Sequence, residues 1–170
     1  EPNARNAHPH LGMTGGVVIV HNGIVENYLE LRNELIAEGA EFSSETDTEV
    51  IVHLIERFMT VEGGLVEAAR RALSLLRGAH GVVCFSKDDP GKLVAARIGN
   101  AGGVVIGLGE GESYIASDLP AILEHTRQVI FLESHQMAVV TKDGAELQTL
   151  NGEDVTPEIQ TVSWDPVAAE

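Results

Sequence analysis

Apart from a short run at 119–125, helical spacing is confined to one block of this chain, residues 25–76, and from residue 80 onward short extended runs follow one another, separated by turn residues. That segregation constrains the fold most, because a parallel sheet needs a crossover helix between successive strands. The runs at 80–87 and 93–99 flank Asp88-Asp89-Pro90-Gly91, where Pro presets φ and Gly admits positive φ, so a hairpin is expected. Further strands are expected at 103–108, 113–116, 128–133, 137–142 and 145–150, the last two joined through Asp143-Gly144, with a short helix at 119–125. The chain reads as α+β with antiparallel sheets.

The front of the chain sets up a strand and three helices. Gly16-Val17-Val18-Ile19-Val20-His21-Asn22 is a β-branched run stopped by Gly23. Val25, Tyr28, Leu31, Leu35 and Ile36 then keep helical spacing up to Gly39, with Glu26, Glu30, Glu34 and Glu38 on the other face. Thr46 with Glu49 three residues on, ahead of Val50, Ile51, Leu54, Ile55 and Phe58, has the pattern of a capping box opening a second helix. Leu65, Ala68, Ala69, Ala72, Leu73 and Leu76 mark a third, with Gly78 beyond it. No repeat, low-complexity linker or composition break marks a second domain, so residues 1–170 are read as one unit.

Composition narrows the function classes. Eleven Lys and Arg against 26 Asp and Glu leave a net charge of −15. Such a chain has no basic stripe for neutralising phosphates, which argues against nucleic acid and against an anionic membrane surface. Ten of the carboxylates fall between Glu26 and Glu62, where only Arg32 and Arg57 oppose them. Most are expected on solvated faces, with Asp47 the exception. The single cysteine, Cys84, excludes an intrachain disulfide and any metal site needing two thiolates. No apolar stretch approaches the ~18 residues of a membrane span, and no export signal opens the chain, so a cytoplasmic location is expected.

Most features that invite a chemical reading fail on inspection. The glycines at 99, 102, 103, 107, 109 and 111 lack the Lys-Ser/Thr of a phosphate loop, and Glu110 and Glu112 would repel a phosphate. His8-Pro9-His10 lacks the spacing of a metal motif, so no metal and no cofactor are expected; His8, His10, His21 and His53 are expected to bond locally around a cleft. Cys84, between Val83 and Phe85, reads as an inert core thiol. Asn22-Gly23 is more informative: an Asn amide and a Gly N–H beyond a strand end can both donate to the oxygen of a tetrahedral intermediate, although a plain turn has the same sequence. Asp47 is two-sided as well. A carboxylate there suits the helix dipole, and it could equally hold a substrate ammonium.

Several motifs, taken in order, carry a resemblance. They are Asn6-Ala7-His8-Pro9-His10, Val20-His21-Asn22-Gly23-Ile24-Val25-Glu26-Asn27-Tyr28, Ser44-Glu45-Thr46-Asp47-Thr48-Glu49, Leu76-Arg77-Gly78-Ala79, Val105-Ile106-Gly107-Leu108-Gly109-Glu110-Gly111-Glu112 and Ala116-Ser117-Asp118. Together they resemble the class II glutamine amidotransferases, and within that family the glutaminase domain of the glutamine–fructose-6-phosphate aminotransferases. The resemblance implies the N-terminal-nucleophile hydrolase fold, an αββα sandwich. It implies L-glutamine as substrate, Asn22 and Gly23 as the oxyanion hole, and Asp47 as the carboxylate that binds the glutamine α-ammonium. It further implies a parent enzyme with sugar-isomerase domains, a homodimer, that makes glucosamine 6-phosphate.

The family's nucleophile is an N-terminal cysteine on a Cys-Gly-Ile-type strand, and its substrate carboxylate is gripped by an Arg-Trp-x-Thr-His segment; neither sequence occurs here. Residues 1–170 are thus expected to be a partial glutaminase domain lacking its first strands, with Trp164-Asp165 and Ala168-Ala169-Glu170 resembling that domain's end, and to be inactive alone. Uncovered sheet edges are an expected consequence. Two other readings stand beside this one. They are the glutaminase domain of an amidophosphoribosyltransferase-like enzyme and a nucleophile-free binding or regulatory module.

Overall fold

The computed structural model describes residues 3–100 and 102–163, so the motif residues from Trp164 to Glu170 lie outside the described part. Strands β1 (His10–Leu11) and β2 (Val17–Gly23) precede helices α1 (Tyr28–Ala37), α2 (Thr48–Glu62) and α3 (Leu65–Ser74). Strands β3 (His80–Ser86), β4 (Leu93–Ile98), β5 (Val105–Leu108), β6 (Ser113–Ala116), β7 (Gln128–Phe131), β8 (Gln136–Thr141), β9 (Gly144–Thr149), β10 (Asp154–Val155) and β11 (Gln160–Thr161) follow. They form a seven-stranded sheet in the order β1-β2-β3-β4-β8-β9-β10 and a four-stranded sheet in the order β11-β7-β5-β6. Every pairing is antiparallel, as the segregated pattern requires.

Alternation along the strands assigns the faces. In β2, Val17, Ile19 and His21 point one way and are buried, while Val18, Val20 and Asn22 point the other. The first set, with Val82 and Cys84 of β3 and Val94 of β4, packs against Leu54, Ile55, Ala69 and Leu73 of the helices. Between the sheets, Ala95 of β4, Ala138 and Val140 of β8 and Leu147 of β9 meet Ile106 of β5 and Ile130 of β7. Beyond the second sheet, Ile122 covers Val105 and Val129. Helices, two sheets and this thin outer cover make the four layers in sequence. The helix expected at 119–125 is only a 3-10 turn, Leu119–Ala121, opened by Asp118, whose side chain accepts the Leu119 N–H.

The remaining departures sit at element ends. β1, β10 and β11 are two residues long, too short to show a period. α1 starts at Tyr28 because Val25, fully buried, belongs to the loop before it. α2 begins at Thr48, and the pair Thr46–Glu49 does not close a capping box. Instead Glu49 reaches back past Thr46, accepting Ser43 N–H at 2.7 Å and Ser44 N–H at 2.7 Å together with both serine hydroxyls. Ser43 and Ser44 offer four donors, which outweigh one cap bond.

Candidate active site

The end of β2 lies over the start of β3, with Asn22 opposite Gly81 and Gly23 opposite His80. Gly23 has φ of 137°, and a Cβ there would come within 2.2 Å of the Ala79 carbonyl oxygen and 3.1 Å of His80 Cα. Only glycine fits that backbone. Asn22 is exposed, on the face turned away from the helices, and lines a cleft of about 160 Å³ with His8, Val20, Gly81, Ala116 and Ser117. This cleft has residues of β2 and β3 on one side and Ile115 and Ala116 of β6 with Gly103 and Val104 on the other.

Asp47 approaches the same loop from the other side. Its backbone is already helical, with φ of −68° and ψ of −24°, and its side chain caps none of the α2 amides. One carboxylate oxygen, Oδ2, accepts the Val25 N–H at 2.6 Å, two residues beyond Gly23. Its place at the N-terminus of α2 still suits the helix dipole, although it makes no capping bond. Its charge favours the protonated forms of His10, His21 and His80, which places it among all three rings.

His8, His10 and His21 bond locally, as expected, whereas the buried His53 Nε2 has no hydrogen-bond partner among the described residues. His21 Nδ1 lies 2.9 Å from Thr48 Oγ1 and His21 Nε2 lies 3.1 Å from His80 Nδ1; His10 Nε2 is 3.2 Å from Thr46 Oγ1. Burial, with His80 as the next cause, lowers His21 to about 4, and burial also lowers His80 and His10. His53 stacks edge-on against Phe42 and sits 3.4 Å from Glu49. Among the described residues no three His, Cys, Asp or Glu side chains converge on a metal-sized centre. Cys84 is buried on the helix-facing side of β3, and desolvation pushes its thiol up to about 12, so it is no nucleophile.

Three features of the site escaped the sequence reading. Glu49 is 2% exposed, and although burial pushes its carboxyl up, its four serine donors together pull it down to about 2, so Asp47 is not the lone carboxylate withdrawn from solvent in the acidic segment. Asn27 bridges two turns, its Oδ1 accepting Arg77 N–H at 2.9 Å and its Nδ2 donating to Leu75 O at 3.0 Å. The pairing of His21 with His80 was also missed. Parity gives a signal for it, because His21 continues the inward series Val17, Ile19 and His80 begins the inward series Val82, Cys84, so two imidazoles are sent into one core.

Comparison with known proteins decides the family. A family model described as "Glutamine amidotransferase domain" matches residues 3–124. The chain belongs to the glutamine amidotransferase domain family. A glutamine–fructose-6-phosphate aminotransferase (isomerizing) of Symbiobacterium thermophilum is 50% identical over 169 residues, 99% of this chain and 27% of the relative. One of the same name from Caldanaerobacter subterraneus is 44% identical over 170 residues, 100% of this chain and 27% of the relative. The chain thus spans about 27% of the length of these curated relatives. Among solved structures, glutamine phosphoribosylpyrophosphate amidotransferase from B. subtilis, complexed with ADP and GMP, superposes with a TM-score of 0.72 at 24% identity. That match covers 87% of this chain and 32% of the other, and it agrees with the N-terminal-nucleophile hydrolase fold. Among the described residues no helix is long and apolar enough to cross a membrane.

Proposed function

We propose that this amidotransferase chain is the glutamine-hydrolysing part of a glutamine–fructose-6-phosphate aminotransferase (isomerizing), a cytoplasmic enzyme that makes glucosamine 6-phosphate. The observation that carries the reading is the 44–50% identity to enzymes of that name along essentially the whole chain. The 24% identity to the phosphoribosylpyrophosphate enzyme gives an amidophosphoribosyltransferase-like acceptor less support. In this reading the remaining length belongs to sugar-isomerase domains of the same polypeptide, which acts as a homodimer.

The glutamine amide carbon is attacked by a cysteine thiolate from outside these 170 residues, which forms a γ-glutamyl thioester and expels ammonia; water then releases glutamate. Asn22 Nδ2 and the Gly23 N–H donate to the carbonyl oxygen as it gains charge. Asp47 holds the α-ammonium of glutamine through its free oxygen, Oδ1, while Oδ2 remains on Val25. An added strand carrying the nucleophile has a place beside β6, at the open mouth of the cleft that Asn22 lines.

The test has two arms. The 170-residue chain given L-glutamine releases glutamate at the blank rate, whereas the longer gene product converts glutamine and fructose 6-phosphate to glutamate and glucosamine 6-phosphate. Glutamate release by the short chain well above blank overturns the assignment of the nucleophile. A longer product with no activity toward fructose 6-phosphate overturns the acceptor.

A further inference from the structure

His80 Nε2 lies 3.2 Å from the carbonyl oxygen of Arg77, an atom that can only accept, so that ring nitrogen carries a hydrogen. Both His80 and His21 are buried, at 0% and 5% exposure, and neither has a carboxylate as a hydrogen-bond partner, so both rings are neutral. A neutral His80 therefore presents a bare Nδ1 to His21 Nε2 at 3.1 Å, which must donate. His21 Nδ1 is then bare in turn, and the Thr48 hydroxyl at 2.9 Å has to donate to it. The lone pairs of Thr48 Oγ1 face His8 Nε2 at 3.5 Å. Each tautomer follows from the one before, and the direction of the whole chain is set by a single backbone carbonyl.

We propose that Thr48, His21 and His80 form a one-directional chain of hydrogen bonds, ending on the Arg77 carbonyl, that positions Asn22 and Gly23 for oxyanion stabilisation. The inference rests on the glutaminase reading above. Thr48 and His21 are positioning residues, since both side chains are buried and bond to each other on the helix side of β2. The chain ties the first residue of α2 to the end of β2 and to the turn before β3. The Arg77 carbonyl also accepts the Glu26 N–H at 3.0 Å, so the far end of the chain holds the loop after Gly23 as well. Gly23 is seated beside it, with the position of an added Cβ only 3.0 Å from His21 Nε2.

Protonating His80 would put a hydrogen on Nδ1, force His21 to reverse its tautomer, and turn an N–H toward Thr48. The groups that bear on these two rings are His8, His10 and Asp47 around His21, and Asp47 and Glu26 around His80.

The test reads tautomers directly, through nitrogen chemical shifts of ¹⁵N-histidine in the 170-residue chain, or in the longer gene product where the short chain fails to fold. Both rings should carry hydrogen on Nε2 and none on Nδ1 at pH 7 to 8, above the ordinary histidine value below which burial holds them both. An Nδ1–H form of either ring overturns the chain of bonds. Thr48→Val, which keeps the shape and removes the donor, should leave both tautomers as the Arg77 carbonyl sets them but strip His21 Nδ1 of its partner, moving that nitrogen's shift and the Gly23 amide resonance; Thr48→Ser should restore both. In the longer product, Thr48→Val should lower kcat for glutamine hydrolysis about tenfold with KM within twofold, and Thr48→Ser should recover the rate. Equal behaviour of the two variants overturns the positioning role. An inactive longer product removes the glutaminase reading, and the tautomers still decide whether the chain of bonds exists.

Discussion

The two faces of β2 differ sharply. On one, Val17, Ile19 and His21 are sealed under the helices, and even the imidazole has both nitrogens occupied. On the other, Val20 is 41% exposed, Asn22 is open to solvent, and Phe85 of the neighbouring strand is 43% exposed. Further along the same sheet the corresponding face is closed, because β4, β8 and β9 lie under the second sheet. In the proposed reading the strand end thus carries its oxyanion donors on the exposed face and the groups that hold them still on the buried one. Site precision depends on that division, since a donor contributes to catalysis only when it is held against a packed scaffold.

The largest expected effect tests the sealed face. Ile19 is fully buried, and Ile19→Ala should cost about 2–5 kcal/mol, the usual range for an aliphatic truncation in a packed core. Val20→Ala, one residue away, should cost less than about 1 kcal/mol because nearly half the side chain is already in solvent. Denaturant melts of the two variants measure the difference. Equal losses would mean that the open face is covered in solution and that the contrast does not hold.

Asn22→Ala tests the open face as a site. In the longer gene product it should lower the turnover of glutamine by about two to three orders of magnitude, roughly 3–4 kcal/mol of transition-state stabilisation, while leaving the melting transition nearly unchanged. Steady-state glutamate release gives the first quantity and thermal unfolding the second. An unchanged rate removes Asn22 from the mechanism.

Much of this division is legible in the sequence, and the part that is not has a physical cause. Val17 to Gly23 reads as a buried strand from its β-branched run, and Asn22-Gly23 reads as a candidate oxyanion pair from residue type and place. The three helices and the hairpins follow from period and turn chemistry, because each is decided within about fifteen residues. What stayed hidden is long-range pairing of polar groups: His21 with His80 across 59 positions, and Asn27 with Arg77 across 50. Local pattern says only that a buried imidazole needs a partner. Glu49 misled for a related reason, since the capping-box pattern names Thr46 when the real donors, Ser43 and Ser44, stand one turn further out.

The smaller expected effects concern protons, and they separate the two supports of the site by pH. His21 is held near 4 when folded against an ordinary value of 6.5, so its neutral form is favoured by folding; the stability this gives is present above pH 6.5 and is lost as pH falls through 4. Glu49 is held near 2 against 4.5, so its contribution is present above pH 4.5 and is lost as pH falls through 2. Glu49→Gln removes two charge-assisted acceptors from Ser43 and Ser44 and should cost about 2–3 kcal/mol at pH 7. That cost should shrink between pH 4.5 and 2, while the loss between 6.5 and 4 persists unchanged in the variant. Unfolding free energies of the two proteins across pH 8 to 2 decide the matter. If Glu49→Gln also flattened the upper window, the serine clamp and the histidine chain would be one cooperative unit, and the sealed face would owe its rigidity to their coupling.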